Sequence, residues 1–296
     1  MNSPIAASLA STTRRRDVVD AMAVRRPAKT RIFTVANQKG GVGKTTTTVN
    51  VAAALAQSGL RVLVIDIDPQ GNASTALGIP HHSEIQGTYE MVVDGLALSE
   101  VLQPCPDVEN LWCVPATIDL AGAEIELVSM PSREHRLRAV LQDYFDNCTP
   151  DEVFDYVLID CPPSLGLLTV NAFVAANEVF IPIQSEYYAL EGLSQLVHNV
   201  ELIKEHLNPS LQLSTILLTM YDARTRLSAQ VAQEVRNHFP DQVLKVWIPR
   251  SVRISEAPSH SQTVMTYEPS CTGALSYLEA AKELAGRADG YRSVHD

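Results

Sequence analysis

The sequence predicts an α/β domain, a mostly parallel twisted sheet flanked by helices in three layers. Three observations carry this. Short strands are apolar on both sides, helical patterns alternate with them, and a glycine-rich turn leads from the first strand directly into a helix. With 296 residues, 46% hydrophobic and 19% charged, the chain can bury a sizeable core.

Taken in order, RIFTVAN (31–37) reads as a buried strand and TTTTVNVAAALAQSG (45–59) as a helix stopped by Gly59. Further strands are expected at RVLVIDID (61–68), DYVLIDCPP (155–163), VFIPIQ (179–184), STILLTMY (214–221) and KVWIPR (245–250). Helical spacing sets Leu196, Val200, Ile203 and Leu207 on one face, and likewise Val231, Val235 and Phe239, then Leu275, Leu278 and Leu284. Residues 80–130 read as short helices and turns with a brief strand at LWCVPA. His81 and His82 are adjacent, cannot face one ligand site, and read as a solvated loop.

No repeat or Gly/Ser linker interrupts the pattern, so one domain is expected at 31–290. It is flanked by a flexible basic tail at 1–30, with at most a short helix through DVVDAMAV, and a C-terminal tail at 291–296. Residues 1–31 hold seven basic and two acidic side chains, +5, so the remainder of this −11 chain is −16. An acidic body excludes wrapping by nucleic acid but leaves room for a local basic patch. Arg15-Arg16 is not followed by the apolar segment of an export signal, and no run approaches the ~18 apolar residues that span a bilayer. Five scattered cysteines without C-x-x-C spacing indicate a reducing cytosol and no structural metal.

The chemistry concentrates in NQKGGVGKTTTT (37–48). A strand, a glycine loop, Lys-Thr and a helix make a phosphate-binding loop. Gly40, Gly41 and Gly43 let backbone N–H groups approach phosphates around Val42, and the helix adds its positive end. Lys44 suits the β- and γ-phosphates, Thr45 offers a hydroxyl to Mg²⁺, and Thr46 can donate to the α-phosphate. Asp160, ending an apolar strand, reads as the carboxylate of the Mg²⁺ shell. Asp68, after the next strand, is the candidate to orient the attacking water, and Asp66 a supporting group. Lys39 is a second lysine that the simple loop pattern does not need; the residues alone leave it open between a function and a solvated strand-end side chain.

KGGVGKTT, VIDIDPQGNAST, DCPPSLGLLTVNA, EYYALEGLSQL, TMYDART and IPRSVRISEAPS, in this order, resemble the ParA (Soj-type) chromosome-partitioning ATPases, relatives of MinD in the deviant Walker A group of P-loop proteins. The resemblance spans Arg31 to about Ala288. It implies an Mg²⁺-dependent, slow, partner-stimulated ATPase with ATP and Mg²⁺ as cofactors. Lys39 would reach across a two-fold axis to the partner's nucleotide, giving an ATP-dependent homodimer. Asp68 would activate water, Lys44 would bind phosphate, and Thr45 and Asp160 would hold magnesium. Adenine would pack near Met220 and Pro249. The resemblance further implies non-specific binding of double-stranded DNA through Arg224, Arg253 and Arg250, a ParB-type partner, and a cytoplasmic, nucleoid-associated protein. Residues 221–253 are locally +3, six basic against three acidic, which alone is weak.

One departure from the family stands out: relatives often have Gly-Lys where this chain has Ser261-Gln262, and the basic tail is the candidate replacement for that lysine. The alternative reading, a MinD-like membrane-associated ATPase, needs a basic amphipathic C-terminal helix. YLEAAKELAGRADGYRSVHD is instead alanine-rich and mixed in charge, so no membrane partner is expected.

Overall fold

The computed structural model describes residues 4–186 and 189–288, with side chains described from Thr12 onward except at Ala189. In chain order the elements are α1 (Pro4–Asp20), β1 (Arg31–Val35), α2 (Lys44–Gln57), β2 (Val62–Asp66), α3 (Asn72–Ala76), α4 (Leu98–Val101), β3 (Gln103–Pro104), β4 (Leu111–Val114), α5 (Leu120–Glu126) and α6 (Arg136–Asn147). They continue with β5 (Tyr156–Asp160), α7 (Leu167–Ala175), β6 (Glu178–Gln184), α8 (Ala189–His206), β7 (Gln212–Tyr221), α9 (Arg226–His238), β8 (Val243–Pro249), α10 (Val252–Glu256), α11 (Val264–Tyr267) and α12 (Thr272–Gly286).

The strands form one sheet in the order β3-β4-β2-β5-β1-β6-β7-β8, parallel except for the short β3 at its edge. Alternate side chains feed two cores, as a sheet covered on both faces requires. Phe33, Val35, Val62, Val64, Tyr156 and Leu158 pack under α2 and α12. Leu63, Ile65, Val157, Ile159, Val179 and Ile181 pack under α5 to α9. Every expected strand is present; β3 is additional, because two paired residues leave no periodic signal. Helices α6 and α7 were not anticipated, although Leu137 and Leu141 of α6 are buried at i,i+4 spacing.

α2 ends as its sequence requires. Gly59 adopts φ +86°, and the Gly59 and Leu60 amides donate to Ala56 and Leu55 carbonyls at 2.9 and 3.3 Å, closing the last turn. His81 is less free than expected, its Nε2 lying 2.9 Å from Thr75 Oγ1.

The N-terminal segment differs from the loose tail that composition suggested. It forms the 17-residue α1, whose second half lies on α12. Val19 is fully buried, Arg15 pairs with Glu279 at 2.6 Å, and Arg16 donates to the Pro269 carbonyl. Lys282 Nζ donates to the Val19, Asp20 and Met22 carbonyls, satisfying the end of α1 that lacks intrahelical partners. The expected C-terminal tail lies outside the described residues.

Candidate active site

The strand order brings the chemistry together. β5 lies between β1 and β2, with Val35, Asp160 and Asp66 at one level across the three strands. The loops after these strands therefore emerge side by side at the carboxyl edge of the sheet, where open α/β sheets bind ligands.

The phosphate loop is fixed from three sides. Asn37 Nδ2 donates to the Pro182 carbonyl at 2.8 Å while its Oδ1 accepts from the Lys39 amide at 3.0 Å. Thr219 Oγ1, at the end of β7, donates to the Val42 carbonyl at 2.8 Å, and Val42 itself is buried. Gly41 and Gly43 take φ +74° and +89°, conformations that L side chains rarely adopt, so these two positions require glycine. Gly40 needs no such conformation, but nothing lies within 4 Å of where its side chain would be, so the loop is open there. The first amides of α2, from Lys44, Thr45 and half-buried Thr46, have no earlier helical carbonyl to bond and are the natural donors to an anion.

Thr45 Oγ1 donates to Asp160 Oδ2 at 2.7 Å, and Thr48 Oγ1 to Asp160 Oδ1 at 2.8 Å. A hydroxyl and a carboxylate oxygen in contact, with phosphate oxygens to come, match the all-oxygen preference of magnesium, so the residues fit that ion. Thr48 was missed by sequence reasoning; its spacing of three from Thr45 on a helix is the signal that places both on one face. Lys44 is buried and its Nζ donates to the Lys39 carbonyl at 3.3 Å, folded over its own loop. Burial lowers its pKa, against the opposing pull of Asp160, Cys161 and Asp68.

The two aspartates at the end of β2 differ in their contacts. Asp66 is completely buried and accepts from the Ser74 amide and hydroxyl at 2.9 and 2.8 Å and from the Asp68 amide at 3.2 Å. Burial, then the charge of Asp160, pushes its carboxyl upward; Asp160 is pushed up by burial, opposed by Thr45 and Thr48. Asp66 is thus the anchor of the loop that carries Asp68. Asp68 is 8% exposed and accepts from the Gln70 amide at 3.0 Å, leaving capacity for a further donor.

Lys39 projects outward, its Nζ 2.7 Å from Glu186 Oε2. Glu186, to which the sequence reading gave no role, follows β6, next to β1. Met220 takes φ +50°, an uncommon conformation for a side-chain-bearing residue, one position after the Thr219 that touches the phosphate loop. Pro249 ends β8 and pairs with Tyr221. Arg224 and Arg250 follow the adjacent strands β7 and β8, and Arg253 lies in α10, all at the same carboxyl edge. The first and last are not bare charges: Arg224 pairs with Asp222 at 2.8 Å and Arg253 with Glu256 at 3.0 Å.

Comparison with known proteins identifies the family. The model of a family described as an AAA domain matches residues 30–213. Over 255 residues the chain is 53% identical to the sporulation initiation inhibitor protein Soj of Bacillus subtilis, covering 86% of this chain and 98% of that one. It is 49% identical over 257 residues to the chromosome partitioning protein ParA of Myxococcus xanthus, 87% and 88% of the two chains. The chain belongs to the ParA/Soj family. Among solved structures, the cobyrinic acid a,c-diamide synthase of Mycobacterium smegmatis with bound ATP analog and magnesium is 36% identical, with a TM-score of 0.73 over 89% of this chain and 100% of that one. The α/β architecture expected from the motifs is therefore shared with a solved structure over most of this chain.

Proposed function

We propose that this ParA/Soj-family chain is an ATPase that dimerises on ATP, binds DNA without sequence preference, and partitions replicated DNA with a ParB-type partner. The observation that carries the reading is the assembly at one sheet edge of the phosphate loop, the Thr45–Asp160 pair, the Asp68 loop and an outward-facing Lys39. Lys44 and the first amides of α2 bind the triphosphate. Thr45 and Asp160 hold magnesium, which when bound neutralises charge on the β- and γ-phosphates. Asp68 orients the attacking water, and Lys39 leaves Glu186 to reach the nucleotide of a second copy. The strained Met220 and the Pro249 turn face adenine. Hydrolysis alone is slow, and the partner accelerates it.

DNA binding falls to Arg224, Arg250 and Arg253, which two copies would join into a longer strip. Phosphate must displace Asp222 and Glu256 from two of these arginines, and exposed pairs of this kind are worth little. Binding should therefore weaken steeply with salt through counterion release. No helix among the described residues is long and apolar enough to cross a membrane. The helix α12 is packed into the core through Leu275, Tyr277, Ala281 and Leu284, which leaves it no apolar face for the membrane docking a MinD-like role requires.

The test is binding to an arbitrary duplex with ATP, ADP or no nucleotide, for the native chain and Arg224→Glu. Binding only with ATP, abolished by the substitution while ATP still binds, supports the reading. Indifference to DNA at low salt under every nucleotide would overturn the partitioning role and leave the nucleotide site standing.

A further inference from the structure

The first turn of α2 carries four consecutive threonines, and the helix deals them to different surroundings. Successive residues turn by about 100°, so Thr45 and Thr48 share the side that meets Asp160 while Thr47 does not. Thr45 is half-buried at the lip of the site, whereas Thr48 is fully buried beneath it. Each oxygen of the Asp160 carboxylate takes one of these two hydroxyls: Oδ2 accepts from Thr45 at 2.7 Å and Oδ1 from Thr48 at 2.8 Å. Thr48 Oγ1 also lies 3.0 Å from the Lys44 carbonyl, which α2 already supplies with a backbone amide. Its single hydrogen therefore serves the carboxylate, the stronger acceptor.

Burial separates what the two hydroxyls can do. Thr45 is open to an incoming ion; Thr48 holds the closed end of the same carboxylate and is shut off from solvent. What Thr48 controls is the rotation of Asp160. The last side-chain torsion of an aspartate is broad, so the carboxylate turns easily unless both of its oxygens are held. Asp160 is itself fully buried, so a lost donor on Oδ1 is not made good by bulk water. Without Thr48 the carboxylate would turn to spread the one remaining hydroxyl over both oxygens, and Oδ2 would leave the place where it meets Thr45. Groups that hold a metal ligand from behind commonly matter to metal affinity nearly as much as the ligand does.

We propose that Thr48 is a positioning residue for magnesium: its hydroxyl fixes the Asp160 carboxylate from behind, so that Oδ2 and Thr45 Oγ1 present a prearranged pair of oxygens to the ion. The inference rests on the magnesium site described above and adds a residue to it that does not touch the ion. Because Thr48 and Thr45 lie on the same turn of α2, the two bonds also tie the start of that helix to the end of β5. The phosphate loop and the carboxylate thus keep their spacing before a nucleotide arrives.

The experiment is ADP calorimetry on the full chain, in EDTA and across a magnesium titration, for the native protein, Thr48→Val, Thr48→Ser and Thr47→Val. Valine keeps the shape of threonine and removes the donor, while serine keeps the donor. Thr47→Val removes an equally buried hydroxyl from another side of the helix. For Thr48→Val, ADP affinity in EDTA should stay within about twofold of native, while half of the metal-dependent gain should need about 10–100-fold more magnesium. Thr48→Ser and Thr47→Val should track the native protein within about threefold. Manganese binding to the ADP-saturated protein, followed by electron paramagnetic resonance, reads the metal directly and should weaken by the same factor as magnesium. Urea melts identify the variants that fold, and Thr48→Ala serves if the valine does not. A native magnesium requirement in a folded Thr48→Val or Thr48→Ala overturns the proposal. So does an equal loss of ADP affinity in EDTA, which would place the effect in the phosphate loop, or an equal shift in Thr47→Val. Failure of Thr48→Ser to restore the native requirement overturns it too and assigns Thr48 to packing. If magnesium leaves native ADP affinity unchanged and manganese does not bind, the metal site falls together with this role.

Discussion

Lys39 Nζ lies 2.7 Å from Glu186 Oε2, with both side chains 46% exposed. An exposed pair of this kind stabilises a fold by about 0–1 kcal/mol, far less than a lysine gains from a desolvated triphosphate. Lys39 is therefore held ready rather than locked. Lys39→Gln should change unfolding free energy by less than about 1 kcal/mol. Affinity for ADP should stay within about threefold, while the hydrolysis rate falls by about 10²–10³, the loss typical of one missing charged donor. Urea titration, ADP calorimetry and phosphate release measure the three quantities separately. A rate equal to native would remove Lys39 from the reaction.

Asp66 organises its neighbours where Asp68 is left free to act. Asp66→Ala strips acceptors from the Ser74 amide, the Ser74 hydroxyl and the Asp68 amide in a site closed to water. Burying such unsatisfied donors costs about 2–4 kcal/mol in total. Hydrolysis should drop as well, because the loop presenting Asp68 loses its anchor. Asp68→Ala should abolish hydrolysis with little cost in stability, since among the described residues its side chain accepts a hydrogen bond from the Gln70 amide alone. Paired urea melts and rate measurements separate the two aspartates; equal stability losses would contradict this division.

Much of the site was legible because its signals are local. The glycine loop, Lys44, Thr45 and a strand-end Asp160 each follow from short-range pattern, and parallel strands leave few places for them to meet. What escaped depends on which strands become neighbours. Glu186 reaches Lys39, Asn37 reaches Pro182 and Thr219 reaches Val42 only because β6 lies next to β1 and β7 next to β6. No sequence spacing encodes those pairings. The N-terminal segment was misleading for a related reason: its basic composition resembles a loose tail, but Arg15, Val19 and the α1 carbonyls find partners on α12, some 260 residues later.

The cysteines offer a check on burial by reactivity. Burial pushes the Cys105 and Cys161 thiols up to about 12, and Cys113 well above its usual value. The sign is that of a group whose charged form is disfavoured, so thiolate is depleted at neutral pH. At pH 8 a pKa of about 12 leaves roughly one thiolate in ten thousand. Cys148 and Cys271 are partly exposed. A short iodoacetamide pulse at pH 8 followed by mass spectrometry should label these two and spare the other three. Labelling of Cys161 in the native protein would show that the loop after Asp160 opens far more often than its packing against Thr34 implies.

Ser261 stands at a position whose backbone suits glycine. The residue ends a 3₁₀ turn in the left-handed conformation, φ +55° and ψ +37°. Its amide donates to the Pro258 carbonyl at 3.0 Å, and the next amide, Gln262, to Ala257 at 3.2 Å, so the turn depends on that conformation. A non-glycine residue there costs about 1–2 kcal/mol, and glycine's greater unfolded entropy returns about 0.5–1 of it. Ser261→Gly should therefore stabilise the domain by about 0.5–1 kcal/mol, a rise of about 1–4 °C in melting temperature for a chain of this size. The neighbouring Gln262 already donates to Asp107 at 3.2 Å, so the polar contact on that side survives. Calorimetry of the ADP-bound protein decides the matter. A lower melting temperature would mean that the Ser261 side chain contributes more than its strained backbone takes away.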